Sequence, residues 1–209
     1  MIDFGKIAAV AFDCDGVMFD SSDANRAYYN QVLRHVGLPV MTPEQFDYAH
    51  MHTVDETIDY LIPDGPRRQA ARQFRQQMRY HDFIGYMVMT PHLIALLNRL
   101  RPAFKTAVAT NRTDTMDQVL EQHGLADCFD LVVTAMDVDR PKPDPEQLRA
   151  ILHHFELSPE QMLFIGDSQV DAEAAGSAGV PFVAFCNASL PAGVHVESFR
   201  QVADLLGLK

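Results

Sequence analysis

Short apolar runs alternate with longer amphipathic stretches along most of this chain, and that alternation is broken only once. Ile7 to Phe12 is a run of Ile, Ala, Val and Phe that stops abruptly at Asp13-Cys14-Asp15-Gly16, as a buried strand does where it emerges into a loop. Lys105 to Thr110, Leu131 to Thr134, Met162 to Ile165 and Pro181 to Phe185 read as further strands. Helical patterning fills approximately Pro91 to Leu100, Thr113 to His123, Pro145 to Phe155 and Val170 to Ala178 between them. Strand followed by helix, repeated, implies an α/β fold: a parallel sheet with helices on both faces.

The break lies after the first strand. From about Phe19 to Met87 there is no convincing strand, only helical patterning punctuated by Gly37, Pro39, Pro43, Pro63, Gly65 and Pro66. The 209 residues, at about 150 per domain, suit one full core plus an insertion better than two equal domains. The expected division is an α/β core of residues 1–18 and 88–209 around a helical domain of residues 19–87.

Composition narrows the partners. With 47% hydrophobic and 22% charged residues the chain has enough to bury, which argues against disorder. The net charge of −11, from 28 acids and 17 bases, argues against a general nucleic-acid binder or a membrane-surface protein, both of which need a basic face. Cys14, Cys128 and Cys186 are odd in number and form no C-x-x-C pair, so neither a disulfide framework nor a thiolate zinc site is expected. The acid near the N-terminus fits no signal peptide, and a reducing, cytoplasmic compartment is the simplest reading.

Within the insertion, Arg68, Arg72, Arg75 and Arg79 recur at helical spacing, with Ala71, Phe74 and Met78 on a different face. The row reads as a solvated helix face; the sharper alternative is a surface for an anionic partner or another subunit.

The chemistry gathers at strand ends, where open α/β sheets bind their ligands. Asp13 and Asp15, two apart on extended chain, point the same way about 6.6 Å apart, and Gly16 lets the backbone turn after them. A calcium loop also begins D-x-D-G, but Val17 and Phe19 fall where an EF-hand needs ligands. Asp167 and Asp171 follow another strand, in Gly166-Asp167-Ser168-Gln169-Val170-Asp171, where a helix N-cap with an acid in its first turn is the plainer reading. Carboxylates from two strand ends in one cleft would repel by roughly 4 kcal/mol per pair at 4 Å and an effective dielectric near 20. A bound cation relieves that, and an all-oxygen set favours Mg²⁺ over zinc.

Two further features suit an anion. Thr110-Asn111 offers a hydroxyl and backbone N–H groups near a helix start. Lys142 sits among Pro141, Pro143 and Pro145 in a loop too stiff to let its ammonium wander.

In this order and at these places, Asp13-Cys14-Asp15-Gly16-Val17, Thr110-Asn111, Lys142-Pro143-Asp144-Pro145 and the segment Gly166 to Asp171 resemble the four motifs of the haloacid dehalogenase-like superfamily, in its phosphatase branch with a helical cap. The resemblance spans essentially the whole chain and implies a Rossmann-like core. It implies Asp13 as nucleophile, Asp15 as general acid and base, and Mg²⁺ held by the Asp13 carboxylate, the Asp15 carbonyl and Asp167, with Asp171 in support. Thr110, the Asn111 backbone and Lys142 would stabilise the transferring phosphoryl group. Val17 stands where the family more often has Thr, which removes a hydroxyl from the loop. Dehalogenase members lack the second acid, so Asp15 points to phosphoryl transfer.

In capped members the insertion closes over the site and recognises the leaving group. By that resemblance His50 and His52, within Tyr48 to Thr53, become candidate leaving-group contacts, and Arg112 a candidate for a second negative charge; a surface or structural role is the plainer reading of each His. The expected function is a Mg²⁺-dependent phosphatase acting on a small phosphorylated metabolite of the phosphoglycolate or sugar phosphate type. A β-phosphoglucomutase-like phosphomutase and a non-catalytic member that binds through its cap are the alternatives.

Overall fold

The computed structural model describes residues 2–208. Its centre is a six-stranded sheet made of β1 (Ala9–Phe12), β4 (Lys105–Ala109), β5 (Leu131–Val133), β6 (Met162–Gly166), β7 (Phe182–Phe185) and β8 (Val194–Val196). Their order is β5-β4-β1-β6-β7-β8, and every pairing is parallel. β1 therefore lies between β4 and β6, with Phe12 level with Val108 on one side and Ile165 on the other. That register brings the chain leaving β1, β4 and β6 to a single edge.

The strands read as continuous apolar runs because both faces are covered, yet their side chains still alternate. Val10, Phe12, Val108, Leu163, Ile165, Val183 and Phe185 join one core, against Leu96, Leu97, Val119 and Phe199. Ala9, Ala11, Ala107, Ala109, Phe164 and Ala184 join the other, with Leu148, Ile151 and Ala175. The second face is paved largely with alanine. Flanking helices include α6 (Leu93–Leu100), α7 (Met116–Gln122), α8 (Glu146–His154), α9 (Gln169–Ala178) and α10 (Phe199–Leu205). The fold is thus α/β and Rossmann-like.

The segment expected to be helical holds α1 (Ser22–His35), α2 (Pro43–Met51), α3 (Val54–Leu61), α4 (Gly65–Arg75) and α5 (His81–Ile84). Local chemistry explains its breaks. Thr42 with Gln45 and Thr53 with Glu56 form capping boxes that start α2 and α3, and the Asp64 side chain caps α4. Pro43 and Pro66 sit in the first turns, where a missing N–H costs nothing. α1 packs against α2, α4 and α5. Tyr28 makes edge contacts there with Tyr29, Tyr80 and Phe83 at 5.1–5.5 Å.

Three features were not expected from sequence. Phe19–Asp20 (β2) pairs antiparallel with Val88–Met89 (β3), a two-residue ladder at the two ends of the helical segment. Thr90 fastens the same junction, donating its hydroxyl to the Val17 carbonyl at 2.7 Å and its N–H to that of Met18 at 2.9 Å. β8 and α10 complete the C-terminal edge. The arginine row also divides: α4 ends at Arg75, Arg68 and Arg72 pair with Asp59, and Arg79 lies beyond the helix.

Candidate active site

The ends of β1, β4 and β6 and the loop after β5 meet in a cleft. Asp13, Asp15, Thr110, Asn111, Arg112, Lys142 and Asp167 line its sheet side, and His50, His52, Asn25, Tyr28 and Tyr80 line its helical side. Residues from the four strand-end motifs, more than 150 positions apart at the extremes, thus meet in one place.

Two charge systems divide the cleft. In the first, Lys142 Nζ donates to Asp13 Oδ1 at 2.7 Å and to Asp171 Oδ1 at 2.6 Å, and all three side chains are buried. Asp171 Oδ2 accepts from the Ser168 hydroxyl at 2.5 Å and from the Ser168 N–H at 3.1 Å, as in a capping box. Asp171 therefore caps α9 with one oxygen and accepts from Lys142 with the other. Asp167 stands beside them, its carbonyl accepting from Asn187 Nδ2 at 2.8 Å.

The packing around these acids is too close for side chains at two glycines. Gly16, at φ +79°, would bring a Cβ within 2.0 Å of the Asp167 carboxylate, and a Cβ at Gly166 would lie 2.5 Å from that of Asp171.

Carboxylate oxygens of Asp13, Asp167 and Asp171 lie within 4.8 Å of one another. Three acids face one ammonium, which leaves two negative charges unbalanced if all ionise. Burial above all, with Asp171 and Asp15 adding and Lys142 opposing, pushes Asp13 up to about 7. Burial and the neighbouring acids Asp171 and Asp13 raise Asp167 well above the carboxylate range. Burial would lower Lys142, but Asp13 and Asp171 outweigh it and hold it up. The all-oxygen donor set and the unbalanced charge fit a hard divalent cation.

In the second system, Arg112 grips Asp15 with both arms of its guanidinium: Nε to Oδ2 at 2.7 Å and Nη2 to Oδ1 at 2.6 Å. The Ser21 hydroxyl also donates to Asp15 Oδ1, and Asn25 Nδ2 lies 3.4 Å from it. Burial would raise Asp15, yet Arg112 more than compensates and holds it below its ordinary value. Asn25 extends the network to His50 Nδ1 at 3.3 Å and accepts from the Tyr80 hydroxyl at 3.1 Å.

The remaining expected residues have defined places. Thr110 is buried; its hydroxyl accepts from the Arg112 N–H at 3.1 Å, while its own N–H is spent on the Val133 carbonyl. Asn111 Nδ2 ties the Lys142 carbonyl at 2.9 Å to the Met51 carbonyl of α2 at 3.2 Å, and its Oδ1 is buried without a protein partner. His52 stacks on Tyr48 at 3.8 Å and uses Nδ1 on the Tyr48 carbonyl. Arg112 lines the cleft and is bonded to Asp15 and Thr115.

Sequence reasoning missed Ser21, Asn25, Tyr80 and Asn187. Ser21 and Asn25 carry a weak signal, since a spacing of four puts them one turn apart at the start of the first helix after Asp15.

The wider comparison agrees with this geometry. Residues 10–185 match the profile of the haloacid dehalogenase-like hydrolase family. A phosphoglycolate phosphatase of Vibrio cholerae is 33% identical over 188 residues, covering 83% of this chain and 82% of the relative. A crystal structure of a HAD-superfamily hydrolase, subfamily IA, from Geobacter sulfurreducens superposes with a TM-score of 0.79 at 38% identity, over 97% of each chain. A β-phosphoglucomutase from Clostridium difficile, at 19% identity and a TM-score of 0.83 over 96% of this chain and 97% of its own, shares the fold. By profile, by sequence and by backbone, the chain belongs to the haloacid dehalogenase-like hydrolase family.

Proposed function

We propose that this protein is a Mg²⁺-dependent phosphatase that hydrolyses a small phosphorylated metabolite, with phosphoglycolate or a sugar phosphate as its type of substrate. The observation that carries the reading is the pairing of two acids from one strand end in opposite electrostatic settings. Asp13 lies beside Lys142 and two further carboxylates, and Asp15 lies in the grip of Arg112. Asp13, its charge faced by Lys142, would be the nucleophile, and Asp15, once it has taken up a proton against the pull of Arg112, would deliver it to the leaving oxygen. The phosphoglycolate phosphatase named among the relatives supports the substrate type.

Asp13, Asp167 and the Asp15 carbonyl would hold the metal, with Asp171 in support. When bound, Mg²⁺ would offset the charge of the acids and of the phosphoryl oxygens. Lys142, fixed between Asp13 and Asp171, would meet a phosphoryl oxygen, as would the Thr110 hydroxyl. An Asp13 oxygen attacks phosphorus, the bond from phosphorus to the leaving oxygen breaks, and Asp15 gives that oxygen its proton. Water then attacks the aspartyl-phosphate, yields its proton to Asp15 and frees phosphate and the Asp13 carboxylate. Residues 19–87 would act as a cap over the core of residues 1–18 and 88–209, and His50 would reach the leaving group from it.

Assays with a generic aryl phosphate and with phosphoglycolate test the reading. Phosphate release should require Mg²⁺, stop on chelation and disappear in Asp13→Asn. Turnover that survives either treatment would overturn it.

A further inference from the structure

We infer that Arg112 is a positioning residue for Asp15: it sets the orientation of the carboxylate that protonates the leaving group. The inference rests on the reading of Asp15 as proton donor.

Each arm of the guanidinium takes a different Asp15 oxygen, so the pair fixes both the place and the plane of the carboxylate. Arg112 is itself fixed from behind. Nη1 donates to the Thr115 hydroxyl at 3.3 Å, Nη2 lies 3.8 Å from Met87 Sδ, and the Tyr80 ring lies beneath the guanidinium at 5.0 Å. Its side chain is 6% exposed. Among the described residues these contacts engage four of the five guanidinium N–H groups, the second one on Nη1 being left over.

The two Asp15 oxygens are used unequally. Oδ1 is approached by Ser21, Asn25 and Arg112 Nη2, whereas among the described residues Oδ2 accepts from Arg112 Nε alone. Oδ2 is therefore the oxygen with room for the leaving group, and the Nε bond aims it. A lysine at this position is a single point of charge and holds one oxygen, not the plane.

Single-turnover release of the leaving group separates positioning from binding. In p-nitrophenyl phosphate the phenolate leaves without a proton, whereas the alkoxide of phosphoglycolate needs one. With Mg²⁺ present, Arg112→Met should slow alcohol release from saturating phosphoglycolate by about 100-fold, the lower end of what a placed general acid contributes. Release of p-nitrophenol should fall far less, and the half-saturating concentrations should hold. Arg112→Lys should fall between, and it carries the test alone if circular dichroism shows that the methionine variant does not fold.

Asp15→Asn, run alongside, should show the same contrast between the two esters. Equal losses on both esters in the Arg112 variants, with the contrast intact in Asp15→Asn, would overturn the positioning role. So would a raised half-saturating concentration for phosphoglycolate at an unchanged rate, which would make Arg112 a substrate contact. Absence of the contrast in Asp15→Asn itself would bring down the reading of Asp15, and the role of Arg112 with it.

Discussion

The two halves of the cleft hold their acids by different means. Around Asp13 the partners come from the loop after β5, the end of β6 and the first turn of α9, and a single ammonium faces three carboxylates. Around Asp15 the direct partners come from the start of α1 and the loop after β4, with Tyr80 joined through Asn25, and they hold one carboxylate with several donors. The first half is a charge balance that a single change upsets. The second is a hydrogen-bond network whose members can be removed one at a time.

Lys142→Met tests the first half and should have the largest effect. Removing one partner of a buried ion pair typically costs about 3–5 kcal/mol, because the remaining charges lose their compensation. The metal-free variant should unfold at a correspondingly lower denaturant concentration and should not turn over phosphate esters. Added Mg²⁺ should then stabilise it more than it stabilises the parent, since the cation would take over the missing charge. Denaturant titrations with and without Mg²⁺ read both effects. Equal stabilisation of variant and parent would mean that the balance around Asp13 is set elsewhere.

Asn25→Ala tests the second half. The amide lies within 3.3–3.4 Å of Asp15 Oδ1, Ser21 Oγ and His50 Nδ1, and its oxygen accepts from Tyr80. Arg112 and Ser21 still hold Asp15 in its absence, so the loss should be partial: about 1–3 kcal/mol of stability for leaving the Tyr80 hydroxyl and its neighbours unpaired. Turnover should fall with it, more for alkyl than for aryl esters. Complete inactivation would show that the network acts as a unit, like the first half.

The same division separates what was legible in the sequence from what was not. β1, β4, β5, β6 and β7 fall within a residue or two of the apolar runs, because strands covered on both faces need apolar residues throughout. Asp13, Asp15, Asn111, Lys142 and Asp167 follow those runs directly or lie in the connecting loops, so sequence position and spatial position coincide. β8, with the outward His195 between two valines, and the two-residue pair β2 and β3 are too short to show a period. Asn25 and Tyr80 are 55 positions apart on helices whose mutual placement follows from packing around Tyr28, Tyr29 and Phe83. Local pattern carries no record of that packing. The same packing makes Arg112 a partner of Asp15, a contact that local pattern does not announce.

The smallest effect concerns how the helical side is held to the sheet side. Arg75, at the end of α4, reaches Thr113 Oγ1 at 3.3 Å and Asp114 Oδ1 at 3.1 Å in the loop after β4. It invites the view that an ion pair fastens the two halves. The Asp114 side chain is 61% exposed, however, and pairs open to water contribute about 0.2–1 kcal/mol. The contacts of Arg112 with the Tyr80 ring and Met87 also cross between the halves, are buried and are less screened by salt. A double-mutant cycle of Arg75→Met and Asp114→Asn should therefore give a coupling energy within that small range, and one that shrinks further as salt is added. A larger coupling, insensitive to salt, would place the hold on the ion pair and not on those buried contacts of Arg112. The halves would then be joined by the same charge-balance device that organises Asp13, and the contrast between them would narrow to the surroundings of Asp15 alone.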